Sequence, residues 1–297
     1  MSFVVWGFLP LFLKQVENHD GFVIIYYRVL FAALLMCCYL MLHFRKNLRV
    51  IFSLKKKSMK QIILMFILTA LGGILLDMNW DSYVYTVNHI SIHTAAFSYM
   101  IVPIMTALLA TFILGEKLNH ARWFGILLSA FSCYLIGHVS LKEAQFILVI
   151  ALSYSLYIIS QRKNTLLPRA MSLALQMMIG SLVMICFHPY VFHVQAALDV
   201  HFWIFILIIS AFFTVTPLIL NLIAMNGMKA SQLSYLIYMN PIISFLIGVF
   251  LYKEKMDKLT LIAYALLTVA LFIFNWEWIA KKPSESESQI QVSKSNC

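Results

Sequence analysis

In the stretch Asp77-Met78-Asn79-Trp80-Asp81, two carboxylates stand one helical turn apart inside otherwise apolar sequence. On a helix they share a face, which Val84 and Asn88 continue. A charged carboxylate surrounded by hydrocarbon is costly unless it is paired, wetted or protonated. Arg28, the basic residue set within another long apolar run, is the expected partner. Two acids facing a single arginine leave one negative charge uncovered. The group therefore suits an outward vestibule whose carboxylate takes up a proton or holds a cationic group. The alternative is a static interhelical pair between Arg28 and one aspartate, with the other solvated near the rim.

Two prolines supply the second chemical signal. Pro103 and Pro241 lie inside apolar runs, where each removes a backbone donor and frees a carbonyl in the preceding turn. A packing kink would use neither carbonyl, whereas a water-lined cavity or a substrate could use both. Asn240 sets a side-chain amide beside the second break, and Tyr99 and Tyr238 fall within four residues before the prolines. A tyrosine ring with its hydroxyl suits an amphipathic organic ligand. Tyr83, Tyr85 and His93, close to the ends of apolar runs, fit interfacial anchoring better.

The prolines belong to a repeat. With no gaps, Asn88, Pro103, Ile104, Leu108, Phe112 and Glu116-Lys117 match Asn226, Pro241, Ile242, Leu246, Phe250 and Glu254-Lys255, 138 positions later. Such a duplication, broken at related depths, is the pattern of a transporter bundle. At 62% hydrophobic and 11% charged residues, with a mean hydropathy of +0.86, the chain cannot wrap a soluble core. Apolar runs of roughly 20 residues, the length that crosses about 30 Å of hydrocarbon, predict ten helical spans. They cover 3–18, 22–44, 61–85, 91–114, 121–140, 144–161, 171–192, 202–225, 230–252 and 259–279. In the first, Lys14 either snorkels outward or the natural start lies upstream of Met1. Met1 to Leu13 has no basic residue and no cleavage pattern, so this run is expected to stay in the protein. The expected fold is all-α and integral to the membrane, with five-helix units over 1–140 and 141–280. A disordered cytoplasmic tail is expected over 281–297.

Of the 22 basic residues, sixteen fall in segments on one side of this arrangement and five on the other. The positive-inside bias then puts both termini in the cytoplasm and turns the second five-helix unit upside down. The net charge of +10 suits topology and an anionic inner leaflet better than nucleic acid. Cys37, Cys38, Cys133 and Cys186 lie in apolar runs as small hydrophobes rather than as a disulfide framework.

Several motifs together resemble the RarD-type permeases of the EamA group, in the drug/metabolite transporter superfamily. They are Trp6-Gly7-Phe8-Leu9-Pro10-Leu11-Phe12-Leu13-Lys14, Tyr27-Arg28-Val29-Leu30, Asn79-Trp80 with Tyr83-Val84-Tyr85 and Val87-Asn88-His89, and Gly115-Glu116-Lys117-Leu118. Tyr157 to Arg162-Lys163 and Pro241 to Glu254 fit the same pattern. The resemblance implies ten helices in two inverted five-helix repeats around a central cavity. It also implies movement of a small organic solute, amino-acid or aromatic-like or of chloramphenicol type, across a bacterial inner membrane. Trp6, Arg28, Asn79, Trp80 and Asn88 occupy its motif positions. Val102, where a polar residue is usual, and Asp81, where an apolar one is usual, depart from the pattern.

The expected transport site thus comprises Arg28, Asp77, Asn79, Trp80, Asp81, Asn88, Tyr99, Pro103, Tyr238, Asn240 and Pro241, with protons as the coupling ion and no cofactor. No His-Glu-x-x-His or Gly-x-Ser-x-Gly is present, which argues against a membrane enzyme. A non-transporting membrane sensor or scaffold is the remaining alternative, although it would be expected to carry a sizeable extramembrane domain.

Overall fold

The computed structural model describes residues 1–54, 56–90, 92–136, 140–187, 199–250 and 258–280. The side chains of Asn88 and His93 lie outside the described set, as do Glu254-Lys255 and the tail 281–297. No strand occurs among the described residues.

The chain opens with two short helices, α1 (Ser2–Gly7) and α2 (Leu9–Leu13), and a 3-10 turn. The long α3 (Gly21–Leu42) follows, started by Asp20, whose carboxylate accepts from Phe22 N at 2.7 Å. The basic, amphipathic α4 (Phe44–Leu54) leads to α5 (Met59–His89), which begins with a reciprocal capping box between Ser58 and Gln61. Next come α6 (Ile92–Leu114), α7 (His120–Ile136) and α8 (Leu141–Lys163), the last begun by a Ser140–Glu143 capping box. Then follow α9 (Arg169–Phe187), α10 (Val200–Ser210), a π turn over Ala211–Val215 and α11 (Thr216–Ala224). The chain continues through α12 (Ala230–Tyr235), a 3-10 turn (Leu236–Tyr238), α13 (Met239–Phe250) and α14 (Lys258–Ala280).

Among the described residues, 7 helices are long and apolar enough to cross a membrane, with Val200–Ala224 counted as one span through its π turn. The other three predicted runs are helical but shorter or interrupted. Residues 3–18 divide into α1, α2 and a 3-10 turn, the described part of 230–252 into α12, a 3-10 turn and α13, and the described part of 121–140 lies mainly in the 17-residue α7. The break expected at Pro103 is absent, because α6 runs through it without interruption. It packs there on α8, whose Ser155 hydroxyl donates to Val102 O at 3.3 Å and accepts from Thr106 Oγ1 at 2.9 Å. Pro241, by contrast, stands third in α13, directly after the 3-10 turn.

The burial pattern is that of a membrane bundle. Large apolar side chains such as Leu42 and Phe112 are 83% exposed, whereas Asn79, Gln161 and Gln176 are fully buried. Helix α5 packs on α8 and α9, α6 on α8, α3 on α9, and α7 on α14. Glycine permits the closest approaches. A Cβ on Gly72 would lie 2.3 Å from Gln161 Nε2, and one on Gly7 2.6 Å from Ile243 Cβ, where α1 meets α13. Glu116, after the left-handed Gly115 (φ 68), reaches back to accept from Ala230 N at 2.7 Å and Ser231 Oγ at 2.5 Å, tying the end of α6 to the start of α12.

Candidate functional site

The site is organised by a proline absent from the sequence expectations. Pro217 has no amide hydrogen, so the Phe213 carbonyl, four residues earlier, loses its regular α-helical donor. The backbone widens here into the π turn, in which Thr216 N bonds Ala211 O. The hydroxyls of Thr214 and Thr216 donate to Ile209 O at 3.1 Å and Ala211 O at 2.8 Å. The freed Phe213 carbonyl accepts from Trp6 Nε1 at 2.6 Å and from Arg28 Nη2 at 3.2 Å. Arg28 Nε donates to Thr214 Oγ1 at 2.5 Å, and its guanidinium lies 5.1 Å from the Trp80 ring centroid. One helix irregularity thereby gathers Trp6, Arg28 and Trp80 from three elements.

Asn79 forms a second node. Its Oδ1 accepts from Tyr99 OH at 2.7 Å, and its Nδ2 donates to Ile150 O at 2.8 Å and Ser153 Oγ at 3.3 Å. This joins α5, α6 and α8. A chain of rings links the two nodes: Trp6 to Tyr154 at 6.5 Å, Tyr154 to Tyr99 at 6.1 Å and Tyr99 to Tyr83 at 5.3 Å. Tyr157 extends it at 5.7 Å from Tyr154.

The expected pair between Arg28 and an aspartate is not formed. Arg28 bonds Thr214 and Phe213, and among the described residues the ion pair within 4 Å is His19–Asp199. Asp77 is 2% exposed, and its Oδ1 has no hydrogen-bond partner among the described residues. It faces α9, where a Cβ on Gly180 would lie 3.6 Å away. Physically, Trp80 covers the guanidinium on the α5 side, and the π turn supplies acceptors that a regular helix would have kept for itself. Asp81 is partly buried one turn beyond Asp77.

The remaining expected residues lie elsewhere. Pro103 is buried at the α6–α8 contact, where it serves packing. Tyr238 is fully buried in a separate core with Tyr235, Cys133 and Phe274, apart from Arg28. Asn240 and Pro241 open α13, which touches the Trp6 helix through Gly7 and Ile243. A further polar group fills the α5–α8–α9 contact: Gln176 Nε2 donates to Gln161 Oε1 at 2.7 Å, and Asn164 Nδ2 donates to Thr69 Oγ1 at 2.9 Å. Among the described residues no group of three or more His, Cys, Asp or Glu side chains is placed to hold a metal.

Sequence reasoning missed Pro217 and Thr214. The available signal was Thr214-Val215-Thr216-Pro217 within the apolar run 202–225: a proline with hydroxyls in the turn before it can re-bond the freed backbone.

With this geometry in hand, comparison with known proteins is informative. The model of the EamA-like transporter family matches residues 1–137 and again 141–276. An uncharacterised transporter of Bacillus subtilis, YojE, is 29% identical over 300 residues, covering 96% of this chain and 95% of that one. Protein RarD of Escherichia coli is 22% identical over 280 residues, covering 92% and 90%. Protein RarD of Streptomyces exfoliatus is 27% identical over 220 residues, covering 71% and 67%. A solved crystal structure shares the fold, with a TM-score of 0.71 at 15% identity, over 92% of this chain and 93% of that chain.

Proposed function

The chain belongs to the EamA-like transporter family, and from that premise we propose that it is a permease that moves a small organic metabolite or drug by alternating access. It is a multi-pass membrane transporter and not an enzyme. The observation that carries the permease reading is the composition of the cluster at the π turn. A buried cation, an amide node and a run of aromatic rings meet at the depth of long apolar helices, where polar groups are functional by default.

We place the rocking parts in two inverted five-helix repeats over 1–140 and 141–280 in the bacterial inner membrane. The contacts of α3 with α9, α6 with α12 and α7 with α14 support this, since each joins corresponding helices of the two halves. Both termini face the cytoplasm in this arrangement, and α4 lies against the anionic inner leaflet. Cysteines placed singly at Lys57 and Lys255 should then react with an impermeant maleimide from opposite faces of intact membranes. Labelling from the same face would overturn the inversion.

Asp77 is the residue we assign to proton coupling. A buried carboxylate whose Oδ1 has no hydrogen-bond partner among the described residues is the kind of group that can exchange a proton during transport. Concentrative uptake into proteoliposomes should collapse when the pH gradient is dissipated. Asp77→Asn should abolish gradient-driven uptake while keeping substrate counterflow within about threefold, because the amide binds no proton. Uptake indifferent to the gradient in both proteins would make the permease a facilitator.

A further inference from the structure

We propose that Arg28 is the anion-recognition residue of the transport site, and that the cargo carries a single carboxylate on an apolar or aromatic body. This rests on the permease reading and narrows it to a substrate class. Arg28 is 8% exposed, and its hydrogen bonds among the described residues go to neutral acceptors, the Thr214 hydroxyl and the Phe213 carbonyl. Among the described residues its Nη1 makes no hydrogen bond, so part of the planar donor fork is unused there. A buried guanidinium is ordinarily matched by a carboxylate. Here the nearby buried acid, Asp77, turns toward Gly180 on α9 instead.

The guanidinium is nonetheless held in place. Nε and Nη2 are fixed on the π turn and one face is covered by Trp80, which leaves the Nη edge to a ligand. Two N–H groups on that edge match the two oxygens of a carboxylate. A single buried cation balances one negative charge, so a monocarboxylate fits where a phosphate dianion would leave charge uncovered. The rings of Trp6, Tyr154 and Tyr99 near the same turn supply an apolar surface for the body of the ligand.

The test is a matched pair of ligands on the intact protein in nanodiscs, read by thermal shift and equilibrium binding. We expect 3-phenylpropionate to raise the unfolding midpoint, and 3-phenylpropionamide to bind at least about tenfold more weakly, as the loss of a charge-assisted hydrogen bond implies. Arg28→Gln should erase that preference, and Arg28→Lys, which keeps the charge without the fork, should restore only part of it. Three results overturn the proposal: equal affinity for acid and amide, a preference that survives Arg28→Gln, or no binding across acetate, 3-phenylpropionate and indole-3-acetate. Each leaves the permease reading standing. That reading falls instead if neither charged nor neutral metabolites show protein-dependent counterflow.

Discussion

Replacing Arg28 by alanine should abolish transport, with flux in proteoliposomes falling at least about a hundredfold, while membrane insertion and thermal stability stay near those of the parent. The two halves of this expectation have separate causes. Flux depends on the guanidinium because it joins the π turn, through Thr214 and Phe213, to Trp80 on α5. Stability does not, because a buried charge without a counter-ion carries a desolvation cost that alanine removes. That gain offsets the lost hydrogen bonds and a cation–π contact worth about 2 kcal/mol when desolvated. The Phe213 carbonyl also keeps Trp6 Nε1 as a donor. Retained flux in the variant would take Arg28 out of the site. A collapse of the melting temperature with lost flux would make it structural.

Pro217→Ala should raise stability, which Arg28→Ala leaves near the parent's, and should lower transport as that variant does. Alanine returns the missing N–H, so the Phe213 carbonyl regains its regular α-helical donor and the helix can close over the π turn. Interior proline costs a helix about 3 kcal/mol relative to alanine, and relief of that penalty should raise the melting temperature of the purified protein. The regained bond competes with Trp6 and Arg28 for the same oxygen. Counterflow should drop by at least about tenfold, as expected when a positioning hydrogen bond of 1–2 kcal/mol is lost. A more stable variant with parental flux would show that the π turn is not needed for transport.

What could be read along the chain was set by one-dimensional rules. Asn79, Trp80 and Arg28 were recognisable because polar groups inside apolar runs are expensive and therefore few. Pro103 and Pro241 stood out by their shared offset of 138 positions, yet only Pro241 coincides with an interruption. At Pro103 the helix continues, buried against its partner α8. No reading of α6 by itself contains that partner. Pro217 carries no such signal, because its counterpart at the same offset is Asn79 rather than another proline.

The sequence by itself determined that this chain lives in a bilayer, that its elements are helices and which family it resembles. Those conclusions rest on composition, run length and short motifs, each local along the chain. Only the tertiary structure decided which charges meet. Whether Arg28 pairs with Asp77 or with a carbonyl freed by Pro217 depends on how α3, α5 and the π turn are rotated against one another. That rotation is fixed by packing among helices far apart in sequence, such as the contacts of α3 and α5 with α9, where Gly73 lies against the Gln176 backbone. No spacing along one helix encodes it.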